Sequence, residues 1–262
     1  MEINLKDRIY LLTGGTGYIG SILSYEILKR GGKIIITTTS HEKKKKYLKK
    51  LKKNFRNKCD IAIVDLNQED QINNLVKFIK KKHHYINGII NNAYGGITGE
   101  INLIEKRDFL QATNLNLYAP FKLIKDLKKH LIKGANKSKE SSSIVNIGSM
   151  YGSVSPDKNI YNLKKFENPI HYGSTKAGLI QMTKYLACNL NPKKIRVNCV
   201  SPGPIPQGKS SLKFLKNLSR KTPMKRTGKP IEVALPVIFL LSNSSSYING
   251  VNLPIDGGWT AW

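Results

Sequence analysis

Short runs of β-branched and aliphatic residues recur along the chain. Between them lie longer stretches with apolar residues at three- and four-residue spacing. Seven of the short runs read as strands: 8–12, 33–38, 61–64, 86–91, 143–147, 195–200 and 252–255. The helical period is clearest at Leu179, Met182, Leu186 and Leu190. Strand and helix alternate throughout, which predicts parallel strands joined by right-handed crossovers. The expected fold is therefore α/β, a doubly wound parallel β-sheet with helices on both faces. Sheets of this kind bind ligands outside the carboxyl ends of their strands. Two stretches break the rhythm, 150–170 and 202–230, and the second is rich in Pro, Gly, Ser and Lys. Long irregular segments in a compact domain are usually functional or mobile.

At 262 residues with 40% hydrophobic content, the chain can bury the core of one substantial domain, expected to span 1–262. The three cysteines, Cys59, Cys188 and Cys199, are odd in number and form no CxxC pair. That favours a reducing cytoplasm over a disulfide framework, and no metal site is expected. The apolar run 9–12 is too brief for a signal peptide, and no stretch nears the roughly 18 apolar residues of a membrane span. The formal charge of +27 raises the question of nucleic acid. The basic residues are nearly all lysine, however, and are spread over the whole chain amid abundant Asn and Ile. The densest run, 43–46 continuing through Lys49, Lys50, Lys52 and Lys53, wraps around a helix with few aromatics interleaved. A solvated helix face is the better reading, and nucleic acid is disfavoured as a partner. The charge would still raise encounter rates with phosphorylated or acidic substrates.

Candidate chemistry centres on Tyr172-Gly-Ser-Thr-Lys176. A Tyr and a Lys four residues apart share one face of a helix. Tyrosine ionises near pH 10, and a neighbouring ammonium favours its phenolate. The same spacing occurs at Tyr25/Lys29, Tyr118/Lys122 and Tyr161/Lys165, so the company of each pair has to decide. After the first strand, Gly15-Thr-Gly-Tyr-Ile-Gly20 fits G-x-G-x-x-G and opens a helix. Its glycines allow a tight turn and close approach of a pyrophosphate to the helix N-terminus. The second strand ends Thr37-Thr-Thr-Ser40, with no carboxylate before Glu42 to take an adenosine ribose. Hydroxyls and nearby lysines suit a 2′-phosphate, which favours NADP over NAD. Asp65, beside Leu66, could bond the adenine amino group or simply cap a turn. Asn91-Asn-Ala93 follows the fourth strand, where small and amide side chains can line a cofactor cleft.

With these pieces assembled, the chain resembles the short-chain dehydrogenase/reductase family over essentially its whole length, and that family's compact branch most. The resemblance is carried by 13–20, 91–93, Asn114, Ser149, Tyr172/Lys176, Asn198-Cys-Val-Ser-Pro-Gly203 and Asp256-Gly-Gly258. It implies that Tyr172 is the acid/base, that Ser149 orients the substrate oxygen, and that Lys176 binds the nicotinamide ribose and lowers the Tyr172 pKa. Asn114 would hold a water linking Lys176 to solvent. The implied cofactor-binding set is Gly14, Gly15, Thr16, Gly17, Tyr18, Ile19, Gly20, Thr38, Thr39, Asp65, Leu66, Asn92, Ala93, Tyr172, Lys176, Pro202, Gly203 and Ile205. A homo-oligomer, dimer or tetramer, is implied through the helices carrying Asn114 and Tyr172. The chemistry agrees with these roles: hydride transfer between a carbinol carbon and nicotinamide needs a proton moved at the oxygen.

Three features depart from the family's pattern. The glycines follow T-G-x-x-G-x-x-G, commoner in the family's extended branch; Ser149 and Tyr172 are separated by an insertion; and Gln207 stands where Thr is frequent. The insertion makes Tyr161, with Lys165, a competitor at a more usual interval from Ser149. Proline at 169 opposes a helix running through that region, and Ala177 and Gly178 suit close packing, so Tyr172 is expected to be the acid/base. The insertion should border the substrate cleft at 150–170, with a substrate loop at 202–230. Tyr151, Tyr161 and Phe166 are expected to pack it down, and Asp157, Asn159 and Asn162 to bond a polyhydroxylated ligand. The insertion, the ending Asp256-Gly-Gly-Trp-Thr-Ala-Trp262 and Asn92-Ala-Tyr94 look similar to oxidoreductases of flagellin glycosylation and nonulosonic-acid pathways. That implies a secondary alcohol or ketone on a sugar or nucleotide-activated sugar. A 3-oxoacyl-[acyl-carrier-protein] reductase is the alternative. A non-catalytic binding protein on the same fold is a further one, opposed by the intact Asn114, Ser149, Tyr172 and Lys176.

Overall fold

The computed structural model describes residues 3–161, 163–208 and 210–262. All seven expected strands form: β1 (Ile9–Leu12), β2 (Lys33–Thr38), β3 (Cys59–Ile63), β4 (Gly88–Asn91), β5 (Ser142–Ile147), β6 (Ile195–Pro202) and β7 (Asn252–Ile255). They pair in parallel, in the order β3-β2-β1-β4-β5-β6-β7. The helices are α1 (Tyr18–Lys29), α2 (His41–Lys50), α3 (Glu69–Lys82), α4 (Lys106–Thr113), α5 (Ala119–Ser138), α6 (Ile170–Leu190), α7 (Leu212–Lys221) and α8 (Pro230–Leu241). None of them is long and apolar enough to cross a membrane.

The strand period of two divides the core between the sheet's faces. Ile9 and Leu11 of β1 pack with α3, α5 and α6, through residues such as Ile79, Leu127 and Leu186. Tyr10 and Leu12 point the other way, onto Leu23 and Ile27 of α1 and Val237 and Ile238 of α8. Buried on both faces, the strands read as the near-continuous aliphatic runs that parallel sheets require. The lysine-rich α2 buries none of its residues fully and rests on the sheet through Tyr47 and Leu48. Strand order reverses at β1, which has β2 on one side and β4 on the other. The glycine turn after β1 and the Asn92–Ala93 segment after β4 therefore meet at the topological switch point.

The segment 202–230 is more ordered than its composition suggests. Ser211 caps α7, its hydroxyl accepting from the Phe214 N–H at 3.2 Å, and Leu218 is buried. The insertion forms three short 3₁₀ turns, Met150–Gly152, Lys158–Ile160 and Lys164–Phe166. It ends at Pro169, the residue before α6, and the fixed φ of proline suits a helix start. A small separate core joins the insertion to α7 and to the C-terminal segment: Met150, Tyr151, Ile160, Leu218 and Trp259.

Candidate active site

Because α6 begins at Ile170, Tyr172 lies in its first turn and Lys176 one turn later, both facing the end of β5. The Lys176 ammonium is 3% exposed and donates to the Ile147 carbonyl at 2.6 Å. It stands 5.8 Å from the centre of the Tyr172 ring. Burial lowers the Lys176 pKa to about 8, against a small opposing effect of Cys199. Burial also pushes the Tyr172 phenol up, while hydrogen bonding with Ser149 draws it down. Ser149, buried at the end of β5, accepts from the Tyr151 N–H at 3.1 Å. Ser149, Tyr172 and Lys176 thus share one cleft. Tyr161 is placed differently: its hydroxyl lies 3.2 Å from that of Tyr151 and its ring packs on Phe214, while Lys165 lies over Phe166. Both tyrosines line the cleft, and Tyr172 is the one beside Ser149 and Lys176.

Asn114 is not brought to this cleft. It begins a π-helical turn, Asn114–Tyr118, and its side chain is exposed. Two residues on, Asn116 is only 1% exposed and donates from Nδ2 to the Thr175 hydroxyl at 3.0 Å, next to Lys176. Its Oδ1 is buried with no partner among the described residues. The π-turn shifts the helical phase between α4 and α5, a distortion often found at functional sites. The amide that abuts the Tyr172–Lys176 helix is Asn116.

Most of the expected dinucleotide set lines a single groove: Gly14, Thr16, Gly17, Tyr18, Ile19, Gly20, Thr38, Thr39, Asp65, Leu66, Asn92, Ala93 and Ile205. Pro202 and Gly203 line the adjoining cleft with Tyr172 and Lys176. Gly15 is the exception. It faces inward against Ile36, its N–H bonded to the Thr37 carbonyl. The groove has the form a dinucleotide needs. Gly14 takes φ +65°, and a Cβ on Gly20 would collide with the Gly14 carbonyl. Gly17, at the N-cap of α1, has no side chain to cap the helix, so the first N–H groups face the groove with no cap of their own among the described residues, as a phosphate site requires. The Thr16 and Thr38 hydroxyls are 2.8 Å apart, and Lys43, one of the lysines that follow β2, lines the same groove. The Asp65 carboxylate accepts from the N–H and side-chain amide of Asn67, at 2.9 and 3.2 Å, and so also serves its own turn. Across the groove, the Tyr18 hydroxyl donates to the Pro206 carbonyl at 3.0 Å.

The insertion borders the cleft, but with other residues than its polar ones suggested. Asp157 is paired with Lys221 of α7 at 2.7 Å and accepts from the Asn159 N–H. Asn159 is exposed, and neither residue lines the cleft. Asn162 lies outside the described residues. Tyr151, Tyr161 and Asn168 line the cleft instead, and the Asn168 Oδ1 is buried with no partner among the described residues. Tyr151 and Tyr161 pack the insertion down as expected, whereas Phe166 is exposed. A second seam ties the insertion to the loop after β4: the Thr98 hydroxyl donates to the Lys165 carbonyl and the Gly99 N–H to the Glu167 carbonyl, each at 2.9 Å. At the C-terminal end, Asp256 accepts from the N–H groups of Gly258 and Thr260 and from the Thr260 hydroxyl, seating Trp259 against Tyr151.

Comparison with known proteins agrees with this geometry. A family described as enoyl-(acyl carrier protein) reductase matches residues 18–260. The 3-oxoacyl-[acyl-carrier-protein] reductase FabG of Thermotoga maritima is 31% identical, the match covering 98% of this chain and 99% of that protein. The L-rhamnose-1-dehydrogenase of Scheffersomyces stipitis is 27% identical, over 97% of this chain and 96% of that protein. A solved short chain dehydrogenase of Leptospira borgpetersenii with bound NAD+ superposes with a TM-score of 0.83 at 30% identity, covering 98% of this chain and 94% of that one. With the doubly wound sheet, the glycine turn at its switch point and a Ser, Tyr and Lys gathered at one cleft, the chain belongs to the short-chain dehydrogenase/reductase family of oxidoreductases.

Proposed function

We propose that this oxidoreductase interconverts a secondary alcohol and a ketone on a sugar or nucleotide-activated sugar, using NADP(H). The observation that carries the substrate reading is the wall of the cleft. There, the phenols of Tyr151 and Tyr161 and the unpartnered Asn168 oxygen offer hydroxyl-matching groups beside aromatic faces. A polyol satisfies the Asn168 oxygen, whereas an alkyl chain would leave it buried and unpaired, which is costly; the two phenols, whose hydroxyls lie 3.2 Å from each other, offer their aromatic faces. The sugar dehydrogenase among the relatives supports the same reading. Thr38 and Lys43 support NADP, offering a hydroxyl and an ammonium where an NAD enzyme would place a carboxylate.

When bound, the nicotinamide supplies or accepts the hydride. Tyr172 gives the proton to the substrate oxygen in reduction and takes it in oxidation. Ser149 holds that oxygen within reach, and the Lys176 charge favours the phenolate. Asn116, the buried amide beside Thr175, takes the water-holding place that the family resemblance implied for Asn114. The protein acts as a homo-oligomer through α5 and α6, where Phe121 and Tyr185 are exposed. It works in a reducing cytoplasm, consistent with the free Cys59, Cys188 and Cys199.

One observation favours a second reading, reduction of 3-oxoacyl thioesters: the Thermotoga relative, matched over the full length. Nicotinamide absorbance with both cofactors, read against a panel of nucleotide-linked and phosphorylated sugars and against acetoacetyl thioesters, separates the two. Turnover of sugars alone supports the proposal; turnover of thioesters alone replaces it with the second reading.

A further inference from the structure

We propose that Tyr94 is a positioning residue for the catalytic pair, its ring bracing the Tyr172 phenol and the Lys176 ammonium in their reacting arrangement. The proposal rests on the reading of Tyr172 as acid/base, and it holds for a sugar or a thioester substrate alike. Tyr94 follows a segment with little freedom. The N–H groups of Asn92 and Ala93 both donate to the Thr13 hydroxyl at 2.9 Å, and the Asn92 side chain donates to the Thr13 and Gly14 carbonyls at 2.9 and 3.2 Å. The backbone before Tyr94 is thereby fixed to the glycine turn, and the ring emerges where the dinucleotide groove opens into the catalytic cleft. Among the described residues, Ile19, Asn92, Tyr94 and Ile205 line both, and Tyr94 is the aromatic one of the four.

The ring meets Tyr172 edge to face, with centroids 4.9 Å apart and planes at 72°, the arrangement favoured by the quadrupoles of aromatic rings. The Lys176 Nζ lies 6.0 Å from the Tyr94 centroid and 5.8 Å from that of Tyr172, so the ammonium stands against two π systems. A buried cation with one carbonyl acceptor gains from both rings, and the phenol is restrained on one flank. Nearly half of Tyr94, 48%, remains exposed, so it can serve as a wall of the reaction space as well as a brace. Both contacts, the edge-to-face pair and the cation over the face, are made by the ring, so the function is assigned to it.

The test compares Tyr94→Phe, Tyr94→Leu and Tyr94→Ala with wild type in steady-state kinetics, with dinucleotide titration and thermal melting alongside. Tyr94→Phe should keep kcat within about threefold, while Leu and Ala should lose roughly tenfold or more in kcat, the scale of one aromatic pair plus one cation–π contact. Because the ring also lines the dinucleotide groove, affinity should fall too in the Leu and Ala variants, but by less than kcat. Leucine keeps the bulk without the π face, so it decides the matter even if alanine fails to fold. Leucine at the rate of phenylalanine would reduce Tyr94 to a filler and overturn the proposal. A phenylalanine variant as slow as leucine would shift the role to the hydroxyl, and a loss confined to dinucleotide affinity would shift it to the loop; either result overturns it too. Tyr172→Phe is the control for the underlying reading. If that variant is fully active the acid/base assignment itself fails, whereas an inactive Tyr172→Phe with an unimpaired Tyr94→Leu sinks only the role of Tyr94.

Discussion

Replacing Lys176 with methionine should make the protein slower and more stable at once. The activity half follows from distance. At 5.8 Å from the Tyr172 ring centre and an effective dielectric constant of about 20, a unit charge gains about 3 kcal/mol against a phenolate charge spread over that ring. Lys176→Met should therefore lower the rate near pH 7 by about 100-fold, with recovery as pH rises. The stability half follows from burial. With its folded pKa lowered to about 8 from 10.5, Lys176 holds fewer protons folded than unfolded between those values. Stability therefore rises with pH through that window, and below it the buried ammonium costs about 3 kcal/mol. Methionine removes that cost but leaves the Ile147 carbonyl without its 2.6 Å donor, a loss of about 1–2 kcal/mol. The net gain of about 1–2 kcal/mol at pH 7 should raise the melting temperature by roughly 2–8 °C, and should shrink toward pH 10 as the wild-type lysine neutralises. pH–rate profiles and melting curves at pH 7 and above pH 9 read both halves. An unchanged pH profile would show that the ammonium is not coupled to Tyr172. A melting temperature below wild type at pH 7 would show that the carbonyl offsets the whole cost of burial.

Tyr172→Phe should lower kcat by about 10²–10⁴-fold with dinucleotide binding intact, the usual weight of a general acid/base, and Tyr161→Phe should keep most of the activity; comparable losses in both would mean the wrong tyrosine is assigned. Lys43→Ala should weaken NADP binding by about tenfold or more in calorimetric titration and leave NAD binding unchanged, since only the 2′-phosphate can use the ammonium. Thr38→Asp should move preference toward NAD, and tighter wild-type binding of NAD than of NADP would refute the cofactor assignment. Shortening the 150–170 insertion should raise the substrate KM or abolish turnover with dinucleotide affinity nearly unchanged; full activity on the true substrate would show that the segment is not a recognition element.

The strands and the glycine turn were legible because each rests on local rules. Period-two burial separates Ile9 and Leu11 from Tyr10 and Leu12, and a positive φ at Gly14 needs only the turn itself. The helix carrying Tyr172 could be placed because Pro169 forbids an earlier continuation and suits a start. The amide was misplaced by two residues for a physical reason of the same kind. Ala112, Leu115, Ala119 and Leu123 are all buried and recur at three- and four-residue spacing, which puts position 116 on the inward stripe and 114 outside it. The signal was present, but the π-turn alters the phase there and Asn-Leu-Asn offers the same side chain on both faces. Helix α7 was missed because its surroundings are rich in Pro, Gly, Ser and Lys, although the Ser211 cap and the apolar Phe214 and Leu218 spell it locally.

The insertion could not be read in the same way, because its partners are distant in sequence. Whether Asp157 faces a ligand depends on Lys221, more than sixty residues on, which takes its carboxylate first. Whether Tyr161 is a catalytic phenol or a wall depends on Phe214 and Tyr151. Polar residues on the insertion suggested hydrogen bonds to a ligand, yet among its described residues it is Asn168, just before α6, that lines the cleft with a buried side-chain oxygen lacking a described partner. Ser149 and Tyr172 sit at the two ends of this segment, and its packing on α7 and Trp259 fixes the wall of the cleft between them. Reaction class and substrate class are thus encoded at different ranges. The first lies in motifs a few residues long; on the reading proposed above, the second rests on contacts of the insertion with Thr98, Gly99, α7 and Trp259, which only the folded chain brings together.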